Sequence, residues 1–456
     1  MKLVVLERPA DMTTPVAVMQ TLLSDDAPAF LLESVEQGER VARWSFLGTA
    51  PSREISGNEG NPLELLRTVP HEEPSPASED LPPFTGGAVG YLGYDAVRRL
   101  EKLPALRPDP IGLPDAWFGV FDRIIAFDHV QHRLLFLAHA EPGEEAGARK
   151  GLEALARKVA AGPGRAPAPF RETELSWTES LPRRPFLAAV EAAKEHILAG
   201  DIFQVVLSRR WSAPYGGDPF PLYRALRRIS PSPYQYYLRT PEAVIFGASP
   251  ERLVRAERGP ERTVVETVPL AGTRPRGKDR AADLELERDL LADEKERAEH
   301  VMLGDLGRND LGRVSVPGTV EVKEFFTVER FSHVMHIASR VFGTLAPGRD
   351  AVDALAATFP AGTLSGAPKI RAMEIIEELE PVRRGAYGGA IGYLDFAGNL
   401  AMAIAIRTAV VTKGILHVQA GAGIVADSVP EREADECESK ARALMRAVAR
   451  HGEYEP

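Results

Sequence analysis

Residues 421–440, GAGIVADSVPEREADECESK, constrain the fold more than any other stretch of this chain. They read as the end of a strand, a glycine turn and the start of a helix. Ser428 and Glu431 have the spacing of a capping box, and Pro430 suits a first helical turn, where a missing N–H costs nothing. Glu433, Glu436 and Lys440 follow at i, i+3 and i+7. At about 100° per residue they share one narrow stripe. Ala434, Cys437, Ala441, Leu444 and Val448 form an apolar stripe beside it, so two carboxylates and an ammonium lie at the border of a core. Paired carboxylates in such a place suit a hard cation such as Mg²⁺, and the lysine suits an anionic ligand. A solvated helix face with one Glu–Lys pair is the plainer reading, and these residues alone leave both open.

The chain has 456 residues, enough for two or three domains or one large intertwined unit. Its net charge of −10 argues against nucleic acid or an anionic membrane as the main partner. An acidic protein with an anionic substrate needs local cations, so arginine, lysine and metal positions matter most. The single cysteine, Cys437, excludes internal disulfides and fits a reducing compartment. No apolar run reaches transmembrane length and no signal peptide is legible, so a soluble cytoplasmic protein is expected.

In the N-terminal part, residues 31–48 predict a hairpin with a polar turn, with Glu33 and Ser34 closing its first strand. The glycines of FTGGAVGYLGYD (84–95) are too dense for a helix and imply close backbone packing or bulges. Residues 118–140 read as two antiparallel strands, residues 146–161 as a helix, and GPGRAPAP (162–169) as a linker. Further on, residues 184–200 predict an amphipathic helix with Phe186, Val190, Ala193 and Ile197 on one stripe and Gly200 as its stop. A strand with Gln204 at its start follows. SPSPYQYY (230–237) predicts a rigid loop feeding a strand. Residues 244–256 predict strand, turn, strand, with Glu251 in the turn. Residues 278–297 suit a mobile helical flap or a plain surface helix. His333 and His336 lack the further N or S ligands that zinc needs, so one is expected to do chemistry and the other to pack. Residues 359–381 predict a Gly-rich turn feeding a helix N-terminus, a place that favours anions. Arg407 lies inside an apolar strand and needs an anionic partner there. Spacing alone thus gives an α+β protein rich in antiparallel strands. Its expected site combines Mg²⁺, one histidine, one arginine, one lysine and several glutamates.

The stretches GGAVGYLGYD, GDIFQVVLSRR, SPSPYQYY, GASPE, PLAGTRPRG, ERAEHVMLGDLGRNDLGRV, FSHVMHIASRV, GTLSGAPKIRAMEIIEELEP, YGGAIGY, AIAIRT and GAGIVADSVPEREADE resemble, in order, the chorismate-utilising enzymes. The likeness is greatest to component I of anthranilate synthases and runs from about residue 31 to residue 440. It implies an α+β fold of two interleaved α/β-sandwich domains with largely antiparallel sheets. An N-terminal domain would span 1–161, a linker 162–180, and a chorismate-binding catalytic domain 181–456. The resemblance implies Mg²⁺ on Glu299 and Glu436, with Glu433 close by. Arg407, Tyr387 and the backbone of Gly421, Ala422 and Gly423 would hold the enolpyruvyl carboxylate. Lys440 would help near the metal, and Thr273 and Thr363 would contact the substrate. His336 aligns with the family's active-site histidine, and Glu251 with its acid near the departing C4 hydroxyl.

Within the family, isochorismate and salicylate synthases carry a lysine base where this chain has Gln204, in QVVLSR. Aminodeoxychorismate synthases often have PIKGT where this chain has PLAGT, with Ala271. Both positions favour ammonia as nucleophile and the anthranilate reaction, with aminodeoxychorismate synthase component I of folate synthesis as the alternative. The LLES stretch resembles a tryptophan feedback pocket, lined by Glu33, Ser34, Pro231, Tyr234 and Tyr393. Ser230 and Gln235 depart from the family's usual NPSPYM, and Gly304 from its usual valine. No glutamine amidotransferase segment is visible. A separate amidotransferase subunit, assembling into a heterotetramer, is therefore implied as the source of ammonia. A non-catalytic relative that keeps only the fold is the reading from another class.

Overall fold

The computed structural model describes residues 1–34, 43–57, 60–69, 80–163, 175–331 and 334–449. Runs rich in β-branched and aromatic residues form two large sheets in it, whose ladders are antiparallel. The first has 12 strands among the described residues. Eleven form a path, Lys2–Pro9, Arg133–Ala140, Arg123–Asp128, Trp44–Thr49, Ala29–Glu33, Tyr234–Arg239, Val244–Ser249, Thr408–Thr412, Ile415–Ile424, Gln204–Pro214 and Gly366–Ala367, and the twelfth, Thr178–Glu179, pairs off it with Gln204–Pro214. The second has 10: nine run Leu270–Pro275, Val334–Thr344, Thr263–Thr267, Arg252–Arg258, Leu400–Ile404, Ala390–Asp395, Gly87–Leu92, Ala116–Phe121 and Arg53–Ser56, and Glu321–Arg330 pairs off this path with Val334–Thr344. Segments remote in sequence share each sheet. Ala29–Glu33 pairs with Tyr234–Arg239, and Gly87–Leu92 pairs with Ala390–Asp395.

The sheets face each other across an aromatic layer that includes Phe30, Phe84, Trp117, Phe121 and Tyr236. Burying each such ring stabilises the fold by roughly 1.5–3 kcal/mol. The outer face of the first sheet carries helices including Arg183–Leu198, Lys369–Leu379 and Pro430–Ala449. That of the second carries Pro62–Leu66 and Ala351–Thr358. The α+β sandwich expected from the sequence is therefore present. The dense glycines of 84–95 are explained by close strand packing. A Cβ at Gly90 would stand 2.0 Å from the Trp117 carbonyl oxygen.

Several local expectations change. Residues 116–140 form three strands, and the first of them, Ala116–Phe121, belongs to the second sheet. The chain changes sheet at Asp122, a step that periodicity within either strand does not reveal. The 244–256 segment is two strands, but Val244–Ser249 lies in the first sheet and Arg252–Arg258 in the second. Arg407 is not inside a strand. It links Leu400–Ile404 to Thr408–Thr412 where the chain returns to the first sheet, with a left-handed φ of 49°. The capping box at Ser428 is replaced by another use of its hydroxyl, which accepts from Val425 N–H (3.1 Å) and bonds the Glu433 carboxylate. Residues 278–297 contain the helix Arg280–Ala292 and the start of Glu294–Gly312. Arg274 ties Asp289 and Asp293 to the neighbouring strand, and Arg276 ties Asp283, as in a plain packed helix pair. The hairpin turn at 35–42, most of the 162–169 linker and His333 lie outside the described residues.

Candidate active site

Two sheet-to-sheet crossings lie side by side. Ile404 N–H donates to the Glu251 carbonyl (3.0 Å), and Ala248 N–H donates to that of Arg407 (3.2 Å). The crossings hold Glu251 and Arg407 between the sheets. Glu251, whose isolated turn position suggests solvation, is in fact only 6 % exposed. Thr363 Oγ1, from the turn Gly362–Leu364, donates to its Oε1 at 3.0 Å. Burial dominates its protonation and pushes the carboxyl up to about 8, against the smaller pull of Thr363, the Leu270 N–H and Lys440. At neutral pH this group is an acid holding a proton. The Arg407 guanidinium has no hydrogen-bond or ion-pair partner among the described residues, and burial lowers its pKa. Such a cation calls for an anionic ligand.

His336 stands on the strand Val334–Thr344, opposite Thr273 on Leu270–Pro275. Its Nδ1 is 3.0 Å from both the Gly272 carbonyl oxygen and Thr273 Oγ1. The carbonyl can only accept, so Nδ1 carries the proton and Nε2 is left as the basic nitrogen. Burial holds the ring pKa down at about 4, with Arg407 and Lys440 adding positive charge nearby. His336 is therefore neutral and available as an acceptor.

The third group is the carboxylates. The stripe on Pro430–Ala449 is real, and Ala434, Cys437, Ala441, Leu444 and Val448 are all buried beside it. Lys440 Nζ lies 2.6 Å from Glu436 Oε1 and donates to the Gly421 carbonyl at 3.0 Å. Glu299 stands on Glu294–Gly312, a helix fixed at its start by Asp293, which accepts from Lys295 N and Glu296 N. Burial, the charge of Glu296 and the charge of Glu436 all raise the Glu299 pKa. Glu433 is raised by burial and by Glu436. Gln204 Nε2 donates to Glu299 Oε1 at 3.1 Å, while its buried Oε1 has no partner. A Cβ at Gly423 would stand 2.6 Å from Gln204 Nε2, and one at Gly421 would stand 2.8 Å from Tyr387 Oη. Glycine at both positions keeps space between the strand and these groups. Ala422 turns its side chain into the helix-side core, so only its backbone is available.

All-oxygen donors that repel one another fit a hard divalent cation, which would relieve the raised pKa values. Among the described residues, no three acidic, histidine or cysteine side chains converge on one metal point. Mg²⁺ commonly takes only one or two protein carboxylates and keeps waters or substrate oxygens for the rest. The donor set therefore fits such an ion without forming a closed cage.

A second site lies between the sheets on the N-terminal side. A cavity of about 1110 Å³ is lined by Glu33, Ser34, Tyr234, Gln235, Arg252 and Tyr393, among others. Pro233, not Pro231, contributes to its wall. The Glu33 carboxylate is already engaged by Tyr223 Oη (2.6 Å) and by Arg227 Nε (2.7 Å) and Nη2 (2.8 Å). Gln235 Nε2 donates to the Arg227 and Ser230 carbonyls, tying the SPSP turn to the end of the preceding helix.

Comparison with known proteins gives the constellation a context. A family model described as chorismate binding enzyme matches residues 27–446. The chain belongs to this family of chorismate-binding enzymes. Its relatives include anthranilate synthase component 1 of Streptomyces coelicolor, 51% identical over 96% of this chain and 87% of that protein. That of Thermus thermophilus is 50% identical over 96% of each chain. The crystal structure of anthranilate synthase component I from Streptococcus pneumoniae superposes with a TM-score of 0.81 at 40% identity, covering 90% of this chain and 94% of that one. The isochorismate synthase MenF of Escherichia coli shares the fold, with a TM-score of 0.72 at 20% identity over 98% of this chain and 95% of its own.

For this chorismate-binding enzyme, the fold joins His336 to Thr273, Glu251 to Thr363, Lys440 to Gly421 and Glu436, and Glu299 to Gln204. Two acidic or basic residues escaped the sequence reading. Glu296 precedes Glu299 by three residues, the same i, i+3 spacing as Glu433 and Glu436, so the two helices present matching pairs. That repeated spacing was the available signal. Lys295 is felt by both Glu299 and Glu433. Its position in a charged run gave no cue. No helix among the described residues is long and apolar enough to cross a membrane.

Proposed function

We propose that this chain is the large component of an anthranilate synthase, converting chorismate and ammonia to anthranilate and pyruvate in tryptophan biosynthesis. The observation that carries this reading is Gln204. It is a neutral amide bonded to Glu299 where water-activating members of the family have a lysine base. Without that base water is a poor nucleophile, and ammonia needs none. Identity of about one half to anthranilate synthase components across nearly the whole chain supports the same choice.

Glu299 and Glu436, with Glu433 close by, would hold a Mg²⁺ ion whose charge grips the ring carboxylate of chorismate. The unpaired Arg407 takes the enolpyruvyl carboxylate, beside Tyr387 and the backbone of Gly421, Ala422 and Gly423. Lys440 adds positive charge at the metal end, and Thr273 contacts the substrate. Ammonia bonds to C2 while the ring double bonds shift and the C4–O bond breaks. Hydroxide is a poor leaving group, so protonated Glu251, oriented by Thr363, gives its proton to the C4 oxygen and water departs. The nitrogen loses its extra proton to solvent. In the second step His336 Nε2 takes the C2 proton, the C3–O bond breaks and the ring becomes aromatic; the departing enolpyruvate takes one proton at its methylene carbon, balancing the one taken by His336, and leaves as pyruvate. A separate glutamine amidotransferase subunit supplies the ammonia in a cytoplasmic heterotetramer. Tryptophan occupies the 1110 Å³ cavity as feedback inhibitor.

The test is product identity from the purified chain with chorismate, Mg²⁺ and ammonium. Equal amounts of fluorescent anthranilate and pyruvate are expected, with turnover lost on chelation. An amino-chorismate without pyruvate would replace this reading with the folate-branch enzyme, and no turnover would favour a non-catalytic relative.

A further inference from the structure

If Glu251 is the acid, it loses a proton in every cycle and has to regain it while 6 % exposed. Beside it lies a small cavity of about 30 Å³, lined by Glu251, Thr363, Thr267, Thr358 and Asp310, by Arg252, whose guanidinium is engaged by Tyr234 and Glu266, and otherwise by apolar neighbours. A water needs roughly 10–15 Å³ of such space and two to four polar partners. Thr363 Oγ1 already donates to Glu251 Oε1, so its own lone pairs remain free to accept. Across the cavity, Asp310 Oδ2 accepts from Lys369 Nζ at 2.7 Å, and the same ammonium donates to the Thr358 carbonyl at 3.2 Å. Each side chain of the Asp310–Lys369 pair is 11 % exposed, so the pair reaches solvent while Asp310 lines the cavity. Among charged groups, Lys440 is felt at Glu251, and Lys369 and Arg313 at Asp310. An Asp–Lys pair anchoring two helices is ordinary; one whose carboxylate opens on the cavity beside a buried acid has a further use.

We propose that Asp310 is a positioning residue that holds a water in this cavity and so returns the proton to Glu251. The proposal rests on the reading of Glu251 as the acid. After the C4 oxygen has left as water, the Glu251 carboxylate takes the Thr363 hydroxyl proton. Thr363 is refilled from the cavity water, and that water from solvent at the Asp310–Lys369 pair. One proton enters for each one carried off by the departing water. The proton released by the added nitrogen goes out to solvent, and no oxidant or co-reactant is needed.

The test uses the full chain with chorismate, Mg²⁺ and ammonium, measuring kcat, KM and the solvent deuterium isotope effect. Asp310→Asn is expected to lower kcat about ten-fold or more, with KM for chorismate held within about two-fold. Because proton return becomes the slow step, the isotope effect on kcat should rise, and Asp310→Glu should restore most of the rate. An unchanged kcat, or a loss of kcat with no rise in the isotope effect, overturns the proposal. Should Asp310→Asn not fold, Asp310→Asn combined with Lys369→Met removes both charges, and the same readings apply. Glu251→Gln is measured alongside. If it turns over at the parent rate, the acid assignment itself is wrong, whatever Asp310 does.

Discussion

Glu33 and Glu251 are each 6 % exposed, one at the wall of the large cavity and the other at a sheet-to-sheet crossing. At the wall of the large cavity, Glu33 accepts from Arg227 through two nitrogens and from Tyr223 through its hydroxyl. The guanidinium balances its charge. The same charge, after burial itself, pushes the Tyr223 phenol well above its ordinary value. At the sheet-to-sheet crossing, Glu251 meets one threonine hydroxyl and a backbone amide but, among the described residues, no cation in contact, and burial pushes it up to about 8. Equal burial thus gives a structural ion pair in one place and a proton donor in the other. What separates them is the partner, because a buried charge persists only where something compensates it.

The sharpest way to break this comparison is Glu251→Gln. It should lower kcat with ammonium about 10²- to 10⁴-fold, the range of a positioned acid, with the circular dichroism unchanged. The same variant tests the protonation state through stability. The folded pKa of about 8 lies above the unfolded value of 4.5, so between them the folded chain holds a proton that the unfolded chain has lost. The contribution of Glu251 to stability is therefore intact below about pH 4.5 and declines as pH rises to about 8, by up to roughly 1.4 kcal/mol per unit. In urea denaturation, Glu251→Gln should match the parent near pH 5 and exceed it by a few kcal/mol near pH 8.5. Glu33→Gln should destabilise instead. It leaves Arg227, which is 34% exposed, without its countercharge, and should cost about 1–3 kcal/mol at neutral pH while kcat stays near the parent value. The smallest effect is expected at the cavity. Ser34→Leu should leave kcat and fold alone but raise the tryptophan concentration for half-inhibition about ten-fold. A rate insensitive to tryptophan in the parent would remove the cavity from regulation.

The stripe on Pro430–Ala449 was legible because a helix places i, i+3 and i+7 together from local sequence alone. Gln204 at a strand start and Gly200 as a helix stop were legible for similar reasons. The burial of Arg407 was legible from its apolar neighbours, but that of Glu251, and the place of both at two adjoining crossings, was not, since those crossings are brought together by strands more than 140 residues apart in sequence, as the Ile404 to Glu251 hydrogen bond shows. No window of sequence contains both. Ser428 was misread because its hydroxyl had two uses of similar geometry, and the approach of Val425 and Glu433 decided between them. The engagement of Glu33 by Arg227 was hidden in the same way, by a helix almost 200 residues away.

The comparison turns on whether Glu251 holds a proton at neutral pH. ¹³C-carboxyl NMR of glutamate-labelled protein, with Glu251→Gln to assign the resonance by difference, reads this directly. A titration midpoint near 8 is predicted. A resonance already ionised at pH 6 would contradict it, and with it the role of Glu251 as the acid that releases the C4 hydroxyl.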